Sequence, residues 1–137
     1  MTQQPIDSDP SGRMPVSVRA PRARAASVLT FDLAKEADRL RAESPWSEHG
    51  SNGVTLVKYS DLRIVLMIMK PATTVQEHQA GARISVHALT GHVRLRLGEG
   101  IVDLHAGHLM ALEKDTPHDL EAVEESAVLL TIAWQGE

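Results

Sequence analysis

The hydrophobic positions of this chain follow a helical period over about 31–43 and a period of two from about residue 54. In the first part, Leu33, Ala37 and Leu40 recur at helical spacing and form one apolar stripe. This spacing predicts a helix over about 31–43.

The ends of this helix carry sequence signals of their own. Thr30 and Asp32 are the two candidate N-caps, because short polar side chains accept hydrogen bonds from the first free backbone amides of a helix. Pro45 is expected to end the helix, since the residue before a proline avoids helical backbone angles. The polar segment 47–53 is interpreted as a loop.

Beyond residue 53, short segments of alternating apolar and polar residues are separated by turn signals. They predict about eight strands, over 54–59, 62–69, 83–89, 93–97, 101–105, 109–112, 120–123 and 127–134. The second segment is apolar on both faces from Ile64 onward, which predicts a central strand or one at a subunit contact. We therefore expect an all-β sandwich or small barrel over about 54–134, within a single domain that spans 28–137.

The first 27 residues differ from the rest in composition. Residues 1–27 contain four of the seven prolines and few large apolar side chains, so we expect a flexible arm. An alternative is that Val16 and Val18, which alternate with polar neighbours, add an edge strand to the body. Four arginines against two aspartates give this arm a net charge of +2. Because the whole chain has a net charge of −4, residues 28–137 carry −6.

Composition excludes several classes of protein. The absence of cysteine excludes disulfide scaffolds, Cys-ligated metal centres and cysteine nucleophiles. The acidic body argues against nucleic-acid binding. The longest apolar run, 64–69, is far shorter than the roughly 20 residues of a transmembrane helix. The N-terminus also lacks the apolar stretch of a secretory signal, so we expect a soluble, cytoplasmic protein that binds neither nucleic acid nor membrane.

Two glycines and two histidines are spaced as in a known barrel family. Gly91 closes the segment HALTG, and counting back from it with the shorter of the family's two spacings brings His78 to a histidine position, whereas the longer spacing brings Glu77 and Gln79 to the histidine positions. Gly107 is followed at the expected distance by His118. This pattern resembles the cupin superfamily, which carries one glycine- and histidine-containing motif in each half of a small barrel. The spacing of the predicted strands extends the resemblance over 54–134.

The resemblance implies a double-stranded β-helix, or jelly-roll barrel, preceded by one helix and the N-terminal arm. Metal-binding cupins present three histidines and one glutamate inside the barrel, and such ligands suit Zn, Fe, Mn or Ni. His78 and His118 match two of these ligands, whereas Ala80 stands at the second histidine position and Ile84 at the glutamate position. Ile84, Val86 and the two histidines are expected to line a ligand pocket.

A complete metal site would need a third ligand from elsewhere in the chain. His87 is one candidate, but it has the opposite strand parity to Ile84 and would face inward only through a bulge. Glu77 is the other candidate, and it alternates with His78, so only one of these two neighbours faces inward. The alternative is a partly polar pocket that holds His78 and His118 without a metal.

Two functions follow from the resemblance, and they stay open at this point. The first is a small, non-catalytic cupin that binds a small molecule in its barrel, with or without a divalent metal. The second is a metal-dependent cupin enzyme of the dioxygenase or isomerase type. The resemblance also implies a homodimer, in which helix 31–43 and strand 62–69 either cover the barrel or build the contact.

Overall fold

The structure, a computed structural model, describes residues 18–19, 27–76 and 81–135. Within these ranges, two helices and ten strands form a six-stranded and a four-stranded sheet. The elements are β1 (Val18–Arg19), α1 (Leu33–Arg41), α2 (Ser44–His49), β2 (Ser51–Lys58), β3 (Leu62–Met69), β4 (Thr74–Gln76), β5 (Ala82–Thr90), β6 (His92–Leu97), β7 (Gly100–His105), β8 (Leu109–Leu112), β9 (His118–Ala122) and β10 (Ser126–Trp134). The strand order is β1-β2-β3-β10-β5-β8 in the larger sheet and β4-β9-β6-β7 in the smaller.

The inner faces of the two sheets share one aliphatic core. Met67 of β3 and Val86 of β5 come from the larger sheet, and Leu95 of β6 and Leu120 of β9 come from the smaller. These side chains are all at most 1% exposed. Their burial removes apolar surface from water on both sheets at once, so the sheets close into the predicted mainly β barrel.

A second core lies on the outer face of the larger sheet, under the helices. Leu66 and Ile68 of β3 pack there with Val54 of β2 and Leu40 of α1. Strand β3 lies between β2 and β10, and the two cores bury both of its faces from Val65 onward. This confirms the central position predicted from its continuous apolar sequence and shows that the chain's own helix covers its outer face.

Helix α1 confirms the helix predicted over 31–43, but it starts two residues later and ends two residues earlier than predicted. Of the two candidate N-caps, Asp32 is the one used, since its carboxylate accepts a hydrogen bond from the Lys35 amide at 3.1 Å. Ala37 and Leu40 are the buried residues of its apolar stripe.

The loop predicted over 47–53 is wrong. Pro45 lies in the first turn of a second helix, α2, where its missing N–H has no helical partner to lose. The helix ends at Gly50, which has a φ of 78° and donates its amide to the Trp46 carbonyl. Strand β2 then starts at Ser51. Neither described helix has the length and apolar composition to span a bilayer.

All eight predicted strands are present. The bounds of β3 and β8 match the prediction, and the others differ by a few residues at one or both ends. The prediction missed β4, because three residues are too few to establish an alternating pattern.

The edge of the larger sheet carries a two-residue strand from the N-terminal arm. Val18 and Arg19 of β1 pair in parallel with Gly53 and Val54 of β2. The edge strand that the sequence left as an alternative to a flexible arm is therefore present at these two residues. The remainder of the predicted arm before Ser27, including Val16, lies outside the described residues.

Candidate functional site

The site predicted around His118 lies where β9 begins. His118 alternates along this strand with Leu120 and Ala122, two buried members of the barrel core, so its side chain faces inward. Its neighbour across the sheet is Leu97, the last residue of β6. The half-buried imidazole therefore lies at one end of the barrel.

The hydrogen bonds of the His118 ring define its tautomer. Nδ1 lies 2.9 Å from the backbone oxygen of Thr116. A carbonyl oxygen only accepts, so Nδ1 is the nitrogen that carries the proton. Nε2 is buried and has no hydrogen-bond partner among the described residues. In the neutral ring Nε2 is consequently an acceptor whose lone pair is unused.

Two cavities border this ring. The smaller cavity has a volume of about 10 Å³, which is enough for about one water molecule. The larger, of about 280 Å³, is an open surface depression. The smaller is lined by Ala82, Ile84, Leu112, Glu113, Asp115, Thr116 and His118. The larger is lined by Arg96, Leu97, Gly98, Pro117, His118 and Asp119.

The loop between β8 and β9 is tied to the start of β5 by two contacts. Glu113 forms an ion pair with Arg83 at 2.7 Å, and Asp115 accepts a hydrogen bond from the Gly81 amide at 2.9 Å. The Lys114 amide and, secondarily, the Arg83 charge hold the pKa of the Glu113 carboxyl below its usual value. These contacts fix the loop that carries Thr116, and hence the carbonyl that orients His118.

The structure brings together some of the predicted pocket residues. Ile84 and His118 line the same small cavity. Val86 follows Ile84 on the inward face of β5 but is 1% exposed and packed in the barrel core. His78 and Glu77 lie outside the described residues.

His87 lies on the other face of the larger sheet from Ile84. Strand β5 alternates regularly through these positions, and its one register shift against β10 lies beyond them, at Ala127/Val128. The bulge that would turn His87 inward is therefore absent from this part of the strand. His87 is half-buried, and its partners across the sheet are Leu129 of β10 on one side and Leu109 of β8 on the other.

The described residues do not provide a metal centre. Within 27–76 and 81–135, no three His, Asp or Glu side chains are close enough together to hold an ion. At the barrel end, His118 offers one imidazole, and Ile84 places an aliphatic group at the position where the resemblance expected a glutamate. One free nitrogen is too few ligands for a divalent transition metal.

Other histidines gather on the outer face of the smaller sheet. The rings of His92 and His105 lie with their centroids 4.1 Å apart, and His92 Nε2 is 2.8 Å from an Asp103 oxygen. His108 meets His105 edge-on at 5.6 Å. Asp103 also accepts a hydrogen bond from Arg94, so this group is a surface polar network across β6 and β7.

Sequence reasoning missed the loop residues that complete the site. Thr116 orients His118, and Glu113 and Asp115 line the cavity. Their proximity to His118 in sequence was a usable signal, since a polar loop that leads into an inward-facing histidine lies beside it.

No protein-family model matches the sequence, and no curated protein matches it. The chain is similar in structure to a conserved protein of unknown function from Streptococcus pyogenes, with 20% identity, a TM-score of 0.65, and coverage of 90% of this chain and 99% of the other.

Two further similar structures carry the name of the fold. One is a cupin superfamily protein from Desulfitobacterium hafniense DCB-2, with 14% identity, a TM-score of 0.67, and coverage of 82% of this chain and all of the other. The second is the cupin domain of an XRE family transcriptional regulator from Enterobacter cloacae, with 14% identity, a TM-score of 0.58, and coverage of 64% and 100%. Together with the two-sheet aliphatic barrel, these likenesses show that the chain has the fold of the cupin superfamily.

Proposed function

We propose that this cupin-fold protein binds a small molecule at the end of its barrel, and that Nε2 of His118 is the atom that recognises it. The observation that carries the proposal is the buried Nε2 acceptor, which has no partner among the residues that the structure describes. A buried polar atom without a hydrogen bond costs free energy, so native proteins nearly always supply a partner, be it protein, water or ligand. A ligand donor at this position would remove that cost.

The packing of the barrel supports binding at its end rather than at its centre. The middle of the barrel is filled by side chains such as Met67, Val86 and Leu95, which are at most 1% exposed. His118 borders both the water-sized cavity and the depression of about 280 Å³. A ligand could therefore place one polar group at Nε2 and its remainder in the depression.

The test is a binding screen with matched variants. A panel of sugars, polyols, amino acids and hydroxy acids is mixed with the protein, and binding is detected by saturation-transfer NMR. We expect at least one compound to bind the wild type and His87→Phe but not His118→Phe, because only the last variant removes the inward acceptor. Binding that His118→Phe leaves unchanged, or no binding at all, would contradict the proposal.

A second candidate function is that of a metal-dependent enzyme of the dioxygenase or isomerase type. It is favoured by one observation: a histidine whose Nδ1–H donates to a backbone carbonyl has the orientation common among metal ligands. His78 and one further ligand would have to complete the site.

Elemental analysis of protein purified without chelators separates the two candidates. Stoichiometric Zn, Fe, Mn or Ni that is lost in His118→Ala would favour the enzyme. A protein that is metal-free and also fails to take up added metal would favour binding alone.

We also propose that the protein forms a homodimer. The outer face of the larger sheet supports this, since Leu129, His87 and Leu109 lie in one row across β10, β5 and β8 that runs from the core beneath the helices to the sheet edge. Leu109 is 64% exposed. Sedimentation at micromolar concentration is expected to give a dimer, and a stable monomer would contradict this proposal.

A further inference from the structure

We infer that the group recognised at His118 is a hydrogen-bond donor, a terminal hydroxyl or primary ammonium of the ligand, and that the site rejects carboxylates and phosphates. This inference rests on the proposed function, because it names the chemistry of the ligand bound at the same atom. It follows from the polarity and the size of the smaller cavity.

The polar side chains that line this cavity within the described residues are all acceptors. His118 presents the Nε2 lone pair, and Glu113 and Asp115 are carboxylates. Thr116 has the only hydroxyl, and it donates its hydrogen to the Glu113 backbone oxygen at 2.8 Å. No side-chain donor of these residues is left for an anionic ligand.

The nearby backbone amides are also committed. The Gly81 amide donates to the Asp115 carboxylate at 2.9 Å, and the Lys114 amide donates to the Glu113 carboxylate at 3.1 Å. The Arg83 guanidinium donates to Glu113 as well. The Gly81 and Lys114 amides and the Arg83 Nε–H group are therefore used within the protein.

The wall of the cavity is apolar where Ala82, Ile84 and Leu112 line it, and neither Glu113 nor Asp115 bonds to Nε2. With its proton on Nδ1, the His118 ring offers the cavity an acceptor at Nε2.

The volume of the cavity also favours a hydroxyl or an ammonium over a carboxylate or a phosphate. At about 10 Å³, it accommodates a group of about the size of one water molecule. A terminal hydroxyl or ammonium has one heavy atom, whereas a carboxylate or phosphate brings additional oxygens that would face Glu113 and Asp115. Within the described part of the chain, both the size of the cavity and the polarity of its lining therefore disfavour an anionic head group.

Ethylene glycol, ethanolamine and acetate are matched probes, because they have equal numbers of heavy atoms and differ in the terminal group. Each is titrated into the full chain with 15N-labelled histidine, and the Nε2 resonance of His118 is followed. We expect ethylene glycol and ethanolamine to shift it to saturation and acetate to leave it unchanged. A response to ethylene glycol shows that a hydroxyl is sufficient. Because ethanolamine also carries a hydroxyl, a response to ethanolamine alone would show that the ammonium is required.

A variant pair controls for effects outside the site. In His118→Phe the ring shape is kept and the acceptor is lost, so the affinity of the donor probes, read from the Thr116 and Ile84 amides, is expected to fall by about fivefold to tenfold. In His87→Phe the affinity should stay unchanged.

The failures of this inference and of the proposed function are distinguishable. A saturable shift of the His118 resonance by acetate, with the proton on Nε2, would overturn the inference while leaving small-molecule binding at His118 intact. If no probe moved the resonance and no compound of the wider panel bound, both would be overturned.

Discussion

Gly91, in the turn between β5 and β6, has a φ of 83° and lies against the backbone before β10. A Cβ atom added there would collide with the backbone oxygen of Glu125 and the hydroxyl of Ser126. That hydroxyl accepts a hydrogen bond from the His92 amide at 2.9 Å. Glycine is required here for two separate reasons, the left-handed backbone and the close approach.

We predict that Gly91→Ala destabilises the protein far more than Gly107→Ala. Gly107 has a φ of 90° but nothing within 4 Å of an added Cβ, so its substitution costs only backbone strain, about 1–2 kcal/mol. At Gly91 the steric collision adds roughly 1–3 kcal/mol. Urea unfolding of both variants measures the difference, and equal losses of stability would show that Gly91 is not sterically constrained.

The sequence predicts the position of His118 but not its protonation. Its spacing from Gly107 brings it to the barrel, and the alternation with Leu120 turns it inward. The tautomer depends on the Thr116 carbonyl, whose direction is determined by the loop contacts of Glu113 and Asp115 with residues near the start of β5. Such long-range contacts leave no periodic trace in the sequence.

Asn52 joins the helical segment to the larger sheet. Its side-chain amide donates to the Leu40 carbonyl and to the Glu43 carboxylate, both at 3.0 Å, and its side-chain oxygen accepts from the Gly53 amide. The residue is 1% exposed. One buried side chain therefore holds the end of α1, the start of α2 and strand β2 together.

Asn52→Asp keeps the shape of this side chain but replaces the donor by an acceptor. The new carboxylate would face a carbonyl and a second carboxylate, so we expect a loss of about 2–4 kcal/mol of unfolding free energy at neutral pH. The exposed Gln135→Glu is the matched amide-to-acid control and should change stability by less than about 0.5 kcal/mol. A chemical denaturation curve for Asn52→Asp that overlies the wild type would refute this role.

Strands β6 and β7 are connected on their outer faces by Asp103. Hydrogen bonds from His92 and, next, Arg94 hold the pKa of this carboxyl below its usual value of 3.8. Because the folded pKa is depressed, the stabilisation is present above the usual value and is lost as the pH falls through the folded one.

We therefore expect Asp103→Asn to flatten the acid end of the stability profile. The wild type should lose stability below about pH 4 in part through Asp103, and the variant lacks this contribution. Urea midpoints measured between about pH 2 and pH 7 test this. A constant difference between the two proteins over the whole range would contradict the assignment.

At the level of these elements, long periodic segments are predictable and short ones are not. Strand β3 and the apolar stripe of α1 are predictable because each follows one hydrophobic period over many residues. Helix α2 has six residues, and its Pro45 is equally compatible with a helix end and a helix start, so local signals do not distinguish the two.

The whole molecule consists of one barrel core and a second core beneath the helices, which share the larger sheet. Aliphatic residues make up both cores, in agreement with an aromatic content of 3%. The two-sheet barrel is predictable from the sequence because alternation specifies which side chains face inward. The cavity sizes at its end are not, because they depend on how side chains from distant segments meet.

A charge placed in the barrel core should unfold the whole chain. Leu95 is fully buried, and Leu95→Asp would leave a carboxylate without a partner among aliphatic side chains, at a cost of several kcal/mol. Ile101 on β7 is 55% exposed, so Ile101→Asp is the control that should retain the fold. Circular dichroism of both variants tests this prediction. If Leu95→Asp remained folded, Leu95 would not belong to the core.

At the end of the barrel, His118 presents an acceptor that no described residue uses. The most direct measurement is a long-range 1H–15N spectrum of the histidine rings in the protein at neutral pH. We expect a His118 ring with its proton on Nδ1 and an unprotonated Nε2 that responds to a bound donor. A ring that carries its proton on Nε2, or on both nitrogens, would contradict it.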